Sequence, residues 1–396
     1  MLTIINAQII TPFRIIKNGW LQAKGPTIVA MGDEKDKPNL KHVNEKVIDA
    51  GGLYLSPGFI DLHVHGGGGA DFMDNEVDAY FTVAETHVKY GTTSMLPTTL
   101  TSDRKALLDT FAVYDEVLNA SNKGVRFLGL HLEGPYFAMN QRGAQDPRYI
   151  RNPDRREYLD ILKNYGHLIA RWSAAPELPG ALELALYLNR MGVIASIAHT
   201  DAVYDDILKA VENGYTLATH LYSGMSGMTR KDSYRYAGAI ESCLLIDDID
   251  VEIIADGVHL PEPFLKLICK IKSKDSIILT TDAMRAAGMP EGKSILGGKS
   301  TGLEVIVEDG VAKLPDRSSF AGSVATADRL IRTMVNVAEV DLSTAVQMLT
   351  LNPARIINCA KFMGTIAVGK NADLVLFDED INVKSTIIRG KVVYRN

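Results

Sequence analysis

Two textures alternate along this chain. From Leu2 to about Leu55 the residues read as short strands broken by turn signals, as in LTIINAQIIT, NGWLQAKGPTIVAMG and KVIDAGGLYL. The last stretch, NADLVLFDEDINVKSTIIRGKVVY, repeats that alternation of apolar and polar positions, the period of half-buried strands. Matching ends around a different middle predict one small β-sandwich domain assembled from residues 1–55 and 360–396. In the middle, short apolar runs alternate with amphipathic stretches. Eight runs read as strands: 58–65, 92–99, 125–133, 170–177, 193–200, 215–221, 251–259 and 276–283. NEVDAYFTVAETHVKY, RKALLDTFAVYDEVLN, YDDILKAVENG and PEPFLKLICKIK carry apolar residues near helical spacing between them. Eight strand–helix units of this length predict an α/β fold, a (β/α)8 TIM barrel across residues 56–359. An open doubly wound sheet would place a glycine-rich phosphate turn after an early strand. The early glycines, Gly66 to Gly69, follow His63 and His65 and lack the G-x-G-x-x-G context.

Composition narrows the partners. With 396 residues, 46% of them apolar and 23% charged, the chain can bury a large core. Its formal net charge of -6 offers no basic surface for nucleic acid or an anionic membrane, so a small-molecule ligand is expected. The opening residues lack the pattern of a secretory signal, and no run approaches the ~18 apolar residues of a spanning helix, which predicts a cytoplasmic protein. Cys243, Cys269 and Cys359 are far apart and odd in number, so they read as small hydrophobes and suggest neither a disulfide framework nor a Cys-x-x-Cys metal site.

The candidate chemistry lies at the ends of the strand-like runs. His63 and His65 end the first, Glu133 the third, His199 the fifth, His220 the sixth and Asp282 the eighth, with His259 closing the seventh. In a TIM barrel the C-terminal strand ends converge on one mouth, which makes these distant residues neighbours. The pleat sends His63 and His65 to the same face, where both can ligate one ion. Six imidazole and carboxylate donors exceed the needs of a single tetrahedral ion. A binuclear site follows, with Glu133 shared, His63, His65 and Asp282 around one metal, and His199 and His220 around the other. His131 lies deeper on the third strand and reads as a core hydrogen-bonding residue. His42, His87 and His167 have no partner at ligand spacing and read as ordinary.

These segments resemble a known family. Pro57-Gly58-Phe59-Ile60-Asp61-Leu62-His63-Val64-His65-Gly66 is similar to the first-strand motif of the amidohydrolase superfamily, and Ala372-Asp373-Leu374-Val375 to its returning β-domain strand. Gly129-Leu130-His131-Leu132-Glu133-Gly134-Pro135, Ala198-His199-Thr200, Thr219-His220-Leu221-Tyr222, Ala255-Asp256-Gly257-Val258-His259, Thr281-Asp282-Ala283 and Ala321-Gly322-Ser323 occur in the order of the N-acetylglucosamine-6-phosphate deacetylases. The resemblance implies hydrolysis of N-acetylglucosamine 6-phosphate to glucosamine 6-phosphate and acetate. It implies one or two divalent metal ions per chain, zinc or iron, held by Glu133, His199 and His220, with His63 and His65 adding the second. Asp282 would be the catalytic acid and base, and His259 would contact the acetamide or its oxyanion. Arg230, with Arg235 as second choice, would hold the phosphate from a neighbouring subunit, which implies a homodimer. Ala144, Gln145, Ser223, Gly224 and Ala321 would complete the substrate shell. Two positions depart from the family: Ser223 stands for its asparagine and Gln145 for its histidine. They leave open another N-acyl or ring-amide substrate, such as an N-acetylgalactosamine phosphate, an unphosphorylated amino sugar, an N-acyl amino acid or a dihydropyrimidine. The fourth run, however, lacks the bridging lysine of dihydropyrimidinases. A non-catalytic binding relative would not need the full donor set.

Overall fold

The computed structural model describes residues 1–36, 46–120 and 124–396. Both ends of the chain build one eight-stranded sheet. Its order runs Lys391–Arg395, Val383–Ile388, Leu374–Phe377, Tyr54–Pro57, Leu2–Ile10, Ile15–Lys24 and Thr27–Asp33, with Lys46–Asp49 also paired to Leu2–Ile10. Leu374 to Phe377 lies antiparallel to Tyr54 to Pro57, so the C-terminal strands zip onto the segment that enters the middle of the chain. Alternate residues from both ends, among them Ile4, Ile9, Leu21, Leu55, Leu374, Leu376 and Ile387, share one apolar cluster. Neither end could bury its face alone.

The middle is a nearly closed barrel of eight parallel strands. In order they are Phe59–Val64, Thr92–Thr99, Leu130–Glu133, Ile169–Ala174, Ile194–Ile197, Tyr215–Ala218, Asp250–Ile254 and Ile277–Thr280. The expected third strand is broken. Arg126–Phe127 and Leu130–Glu133 pair separately with Thr92–Thr99, because Gly129 takes a φ of 117° and packs its backbone where a Cβ would lie 2.7 Å from that of Ala170. The first and last strands meet through a parallel bridge between Val64 and Ala283 and a bond from the Asp282 amide to His63 O, 2.9 Å long. Asp61 reinforces the seam. Its buried carboxylate accepts from the hydroxyls of Thr280, at 2.8 Å, and Thr281, at 2.5 Å.

Helices fill the connections where the apolar spacing predicts them. In Arg104–Asn119, Leu107, Phe111, Tyr114 and Val117 form the buried stripe, and the Asp103 side chain caps the N-terminus by accepting from Ala106 N. A feature absent from the sequence reading follows the eighth strand. Gly292–Leu296, Leu303–Glu308, Val311–Lys313 and Phe320–Ser323 form a four-stranded antiparallel sheet that brings Phe320 to the barrel mouth. Among the described residues no helix is long and apolar enough to cross a membrane. All three cysteines are free, with Cys243 buried and the others half-buried.

Asp61→Ala should remove the carboxylate to which two buried threonine hydroxyls donate, leaving them His63 O to share at 3.1 and 3.5 Å, and destabilise the protein by about 1–3 kcal/mol. Urea unfolding at neutral pH measures this, and an unchanged midpoint would remove Asp61 from the closure of the barrel.

Candidate functional site

The barrel mouth gathers the strand-end residues. His63 belongs to the first strand and His65 follows it, Glu133 is the last residue of the third, and His199, His220 and Asp282 each stand two residues past a strand end. Those last three adopt left-handed backbone, with φ of 45°, 30° and 46°. Such a conformation costs non-glycine residues of order 1–3 kcal/mol and persists where surrounding bonds over-determine it. Here Thr219 N bonds Ile197 O at 2.8 Å, Leu221 N bonds Glu252 O at 2.7 Å and Ser323 N bonds Asp282 O at 2.8 Å. The strained turns send each chain away from the barrel while aiming the side chain at its axis.

Glu133 occupies the centre. Its Oε1 lies 2.9 Å from His220 Nε2, 3.2 Å from His199 Nε2 and 3.6 Å from His63 Nε2, while its Oε2 lies 3.4 Å from His65 Nε2. Asp282 Oδ1 stands 3.2 Å from His65 Nε2 and 3.3 Å from His63 Nε2, and those two nitrogens are 3.1 Å apart. Two three-residue groups result, His63–His65–Glu133 and Glu133–His199–His220, each with its donor atoms within 4.8 Å of one another.

The remaining ring nitrogens explain the convergence. Nδ1 faces Glu252 Oε1 in His63 at 3.2 Å, Thr98 O in His65 at 3.3 Å and Gln141 O in His199 at 2.7 Å. A ring that donates its Nδ1–H to an acceptor presents the Nε2 lone pair, which is the form a metal requires. The donor set therefore fits one or two divalent ions.

The carboxylates also make the mouth electronegative, which favours a cation there, whether a metal ion or a proton on an imidazole. Burial opposes a charge on His63, yet the carboxylates of Asp282 and Glu133 outweigh it and lift the imidazole from 6.5 to about 10. Burial likewise opposes the Glu133 carboxylate, but His63, His199 and His220 hold it well below its usual range. Asp282 is lowered against burial by His63 and His65.

A cleft of about 160 Å³ opens over these groups. A larger cavity of about 330 Å³ adjoins it across Leu100, Ala144, Gln145 and Leu296 but contains none of the convergent donors. Ala144, Gln145, Ser223, Gly224 and His259 all line the smaller cleft. Gly224 has to be glycine, because a Cβ there would stand 2.7 Å from His199 Nδ1. Ala321 does not line the cleft. Strand alternation turns Phe320 and Gly322 to it, and the Ala321 methyl packs with Met284, Leu296 and Val305. Arg230 and Arg235 face each other across an exposed ribbon, Thr229–Lys231 with Tyr234–Tyr236, outside the cleft of their own chain.

The model of the amidohydrolase family matches residues 54–393. This chain belongs to that family. It is 34% identical over 378 residues to an N-acetylglucosamine-6-phosphate deacetylase from Lysinibacillus sphaericus, covering 92% of each chain. It is 32% identical over 338 residues to an N-acetylgalactosamine-6-phosphate deacetylase from Escherichia coli O157:H7, covering 85% of this chain and 87% of that one. The crystal structure of N-acetylglucosamine-6-phosphate deacetylase from Pasteurella multocida superposes with a TM-score of 0.91 at 31% identity over all of both chains.

Other polar residues of this amidohydrolase site take contacts that the residue pattern did not indicate, and two of them, Arg171 and Glu252, are absent from the candidates above. Gln145, expected in the substrate shell alone, donates from Nε2 to Glu133 Oε2 at 2.7 Å while its Oε1 accepts from Thr101 N at 2.9 Å. Arg171 and Glu252 form a fully buried ion pair below the histidines. Their signal was a charged residue inside an apolar run, Ala170-Arg171-Trp172 and Val251-Glu252-Ile253. Burial opposes the Glu252 charge, but Arg171 and His63 bring the carboxyl down to about 2. His131 bonds Ser173 Oγ at 2.7 Å and Thr98 Oγ1 at 3.3 Å, a core role. His87 is buried and donates to Gly66 O, His167 is exposed, and His42 lies outside the described residues.

Asp256 orients His259. Its carboxylate accepts from His259 N and Val258 N, both at 2.8 Å, and Oδ2 lies 2.7 Å from His259 Nδ1. Asp256→Asn should free the imidazole to turn and lower kcat by roughly tenfold to a hundredfold, part of the ~10²- to 10³-fold contribution of a single positioned oxyanion donor. Steady-state kinetics with unchanged kcat would assign Asp256 to the loop turn alone.

Proposed function

We propose that this amidohydrolase removes the acetyl group from N-acetyl-D-glucosamine 6-phosphate, giving D-glucosamine 6-phosphate and acetate in amino-sugar catabolism. The observation that carries the reading is Glu133 wedged between two histidine pairs, with Asp282 against one of them, in a chain similar throughout to deacetylases of that sugar. We read the barrel as a TIM barrel over residues 56–359 and the terminal sheet as a small sandwich domain of residues 1–55 and 360–396, in a cytoplasmic protein.

Glu133, His199 and His220 would hold one divalent ion, and His63 and His65, sharing Glu133 and joined by Asp282, a second. Zinc or iron suits these nitrogen and carboxylate donors. Such an ion supplies Lewis acidity toward the acetamide carbonyl and lowers the pKa of water to about 7. Asp282, held ionised by His63 and His65, accepts a proton from the attacking water and returns it to the amide nitrogen as the C–N bond breaks. His259, fixed through Nδ1 by Asp256, keeps Nε2 turned to the substrate acetamide and its developing oxyanion. Phe320, its ring centroid 4.7 Å from that of His259, gives the cleft an apolar wall.

Ser223 and Gln145 alter the sugar-facing shell, and the relative acting on N-acetylgalactosamine 6-phosphate supports the epimer as the second reading. Free-amine release across both phosphorylated epimers and their unphosphorylated forms separates the readings. The highest kcat/KM should fall on N-acetylglucosamine 6-phosphate. Preference for the galacto epimer would move the assignment, and inactivity on both phosphates would overturn it. Asp282→Asn should bind substrate with little change in KM but lose about a hundredfold or more in kcat.

A second copy of the chain is the proposed partner. The ribbon carrying Arg230 exposes Tyr234 at 72% and lies beside the exposed Met228, an apolar surface suited to another subunit. From there Arg230 would reach the partner's cleft and pair with the sugar phosphate, a charge-assisted contact worth about 1.5–3 kcal/mol. Arg230→Ala should raise KM about tenfold or more for the phosphorylated sugar and leave the unphosphorylated sugar unaffected. Equal losses on both substrates would assign Arg230 to the ribbon and not to phosphate.

A further inference from the structure

The barrel interior beneath the histidines holds an ion pair that the reaction described above does not use. Arg171, on the fourth strand, and Glu252, on the seventh, are both fully buried, with Arg171 Nη1 donating to Glu252 Oε2 at 2.5 Å and Nη2 to Oε1 at 3.3 Å. A buried ion pair contributes little net stability over apolar residues of the same volume, so its other contacts matter. Those contacts lead to the mouth. Glu252 Oε1 accepts from His220 N at 3.3 Å and lies 3.2 Å from His63 Nδ1. Arg171 donates to Leu62 O, next to His63, at 3.3 Å, to Thr219 Oγ1, next to His220, at 2.7 Å, and to Ser196 Oγ at 2.8 Å.

His63 differs from the other converging histidines. The Nδ1 atoms of His65 and His199 meet backbone carbonyls, and that of His220 meets no hydrogen-bond partner among the described residues. His63 alone of these four meets a carboxylate there. A carboxylate behind a metal-binding histidine fixes its tautomer and raises its basicity more than a neutral acceptor does.

We propose that Glu252 is a positioning residue that makes His63 a metal ligand: it takes the Nδ1–H, leaves Nε2 for the ion shared with His65, and is itself held in register by Arg171. The inference rests on the reading above that His63 and His65 hold a second divalent ion. Its consequence falls on one ion more than the other, because Glu252 meets the His63 imidazole itself but reaches the Glu133–His199–His220 group only through the backbone amide of His220, at 3.3 Å. Glu252 should therefore tune one ion and spare the other.

The test is zinc binding by the full-length protein, stripped of metal and reloaded, with stoichiometry by elemental analysis and both affinities by chelator competition. Glu252→Gln removes the charge. The double variant Arg171→Met with Glu252→Met removes the pair without stranding a buried charge, which keeps the test open if the single variant folds poorly. Wild type should bind about two zinc ions, and each variant should bind its second ion about 10- to 100-fold more weakly while keeping the first. Adding Glu252→Gln to His63→Ala should weaken zinc no further than His63→Ala alone, a coupling that a merely structural role would not produce. Variants that keep both affinities within about threefold of wild type, or lose both ions together, would overturn the inference while the two-ion reading stands. A wild-type stoichiometry of one would overturn that reading and this inference with it.

Discussion

Burying several titratable groups at one barrel mouth is the constraint around which this structure is organised. Glu133 is 3% exposed, and four imidazoles surround it. A carboxylate so far from water is tolerable only when hydrogen bonds or cations stand in for the lost hydration. Its own oxygens are accordingly divided among His63, His65, His199, His220 and Gln145. The left-handed turns at His199, His220 and Asp282 follow from the same need, since regular strand continuation would carry those side chains away from the axis.

The demand extends one layer down. TIM barrels commonly fill their interior with branched apolar side chains. Here the layer under the histidines is polar: the Ser173 hydroxyl lies 3.1 Å from that of Ser196 and 3.0 Å from that of Thr219, with His131 bonded to Ser173 and Arg171 to the other two. Such a layer is worth its desolvation only when every member is satisfied, and its bonds run between strands. It thereby ties the fourth, fifth, sixth and seventh strands at the height where their ends carry the donors. Apolar packing would hold the strands without specifying where each polar atom points.

Access to the centre is set by segments outside the eight strands. The antiparallel sheet after the eighth strand packs on its own cluster of Met284, Leu296, Val305, Val307 and Ala312. It is anchored to the barrel by the Ala283–Ser323 bridge, so Phe320 and Gly322 line the same cleft as Ser223 and Gly224. The terminal sheet contributes at a distance. Arg126 donates to the Asp373 carboxylate and Gly58 N to Asp373 O, so the strands from both ends hold the entry to the first barrel strand in place.

Much of this was legible in the residues alone. Periods of two and 3.6 separated strands from helices well enough to mark all eight barrel runs, and the helical stretch 104–119 coincides with Arg104–Asn119. His63 and His65 had to share a face because the pleat repeats every two residues. The strand-end placement of Glu133, His199, His220 and Asp282 followed from their positions in apolar runs. Partnership across strands was not legible. Arg171 and Glu252 stand 81 residues apart, and no local pattern says that their strands will bring them within 2.5 Å. Gln145 lies in a loop, so its grip on Glu133 depends on the path of that loop and on Thr101. The motif around Ala321 does not tell which way its side chain turns, and the pairing of its strand puts the methyl in an apolar cluster. The sequence by itself determined which residues stand on which face of which element, because that is fixed by backbone period. Only the tertiary structure decided which buried polar atoms meet, because hydrogen bonds are satisfied or lost at distances that strand register and barrel closure alone set.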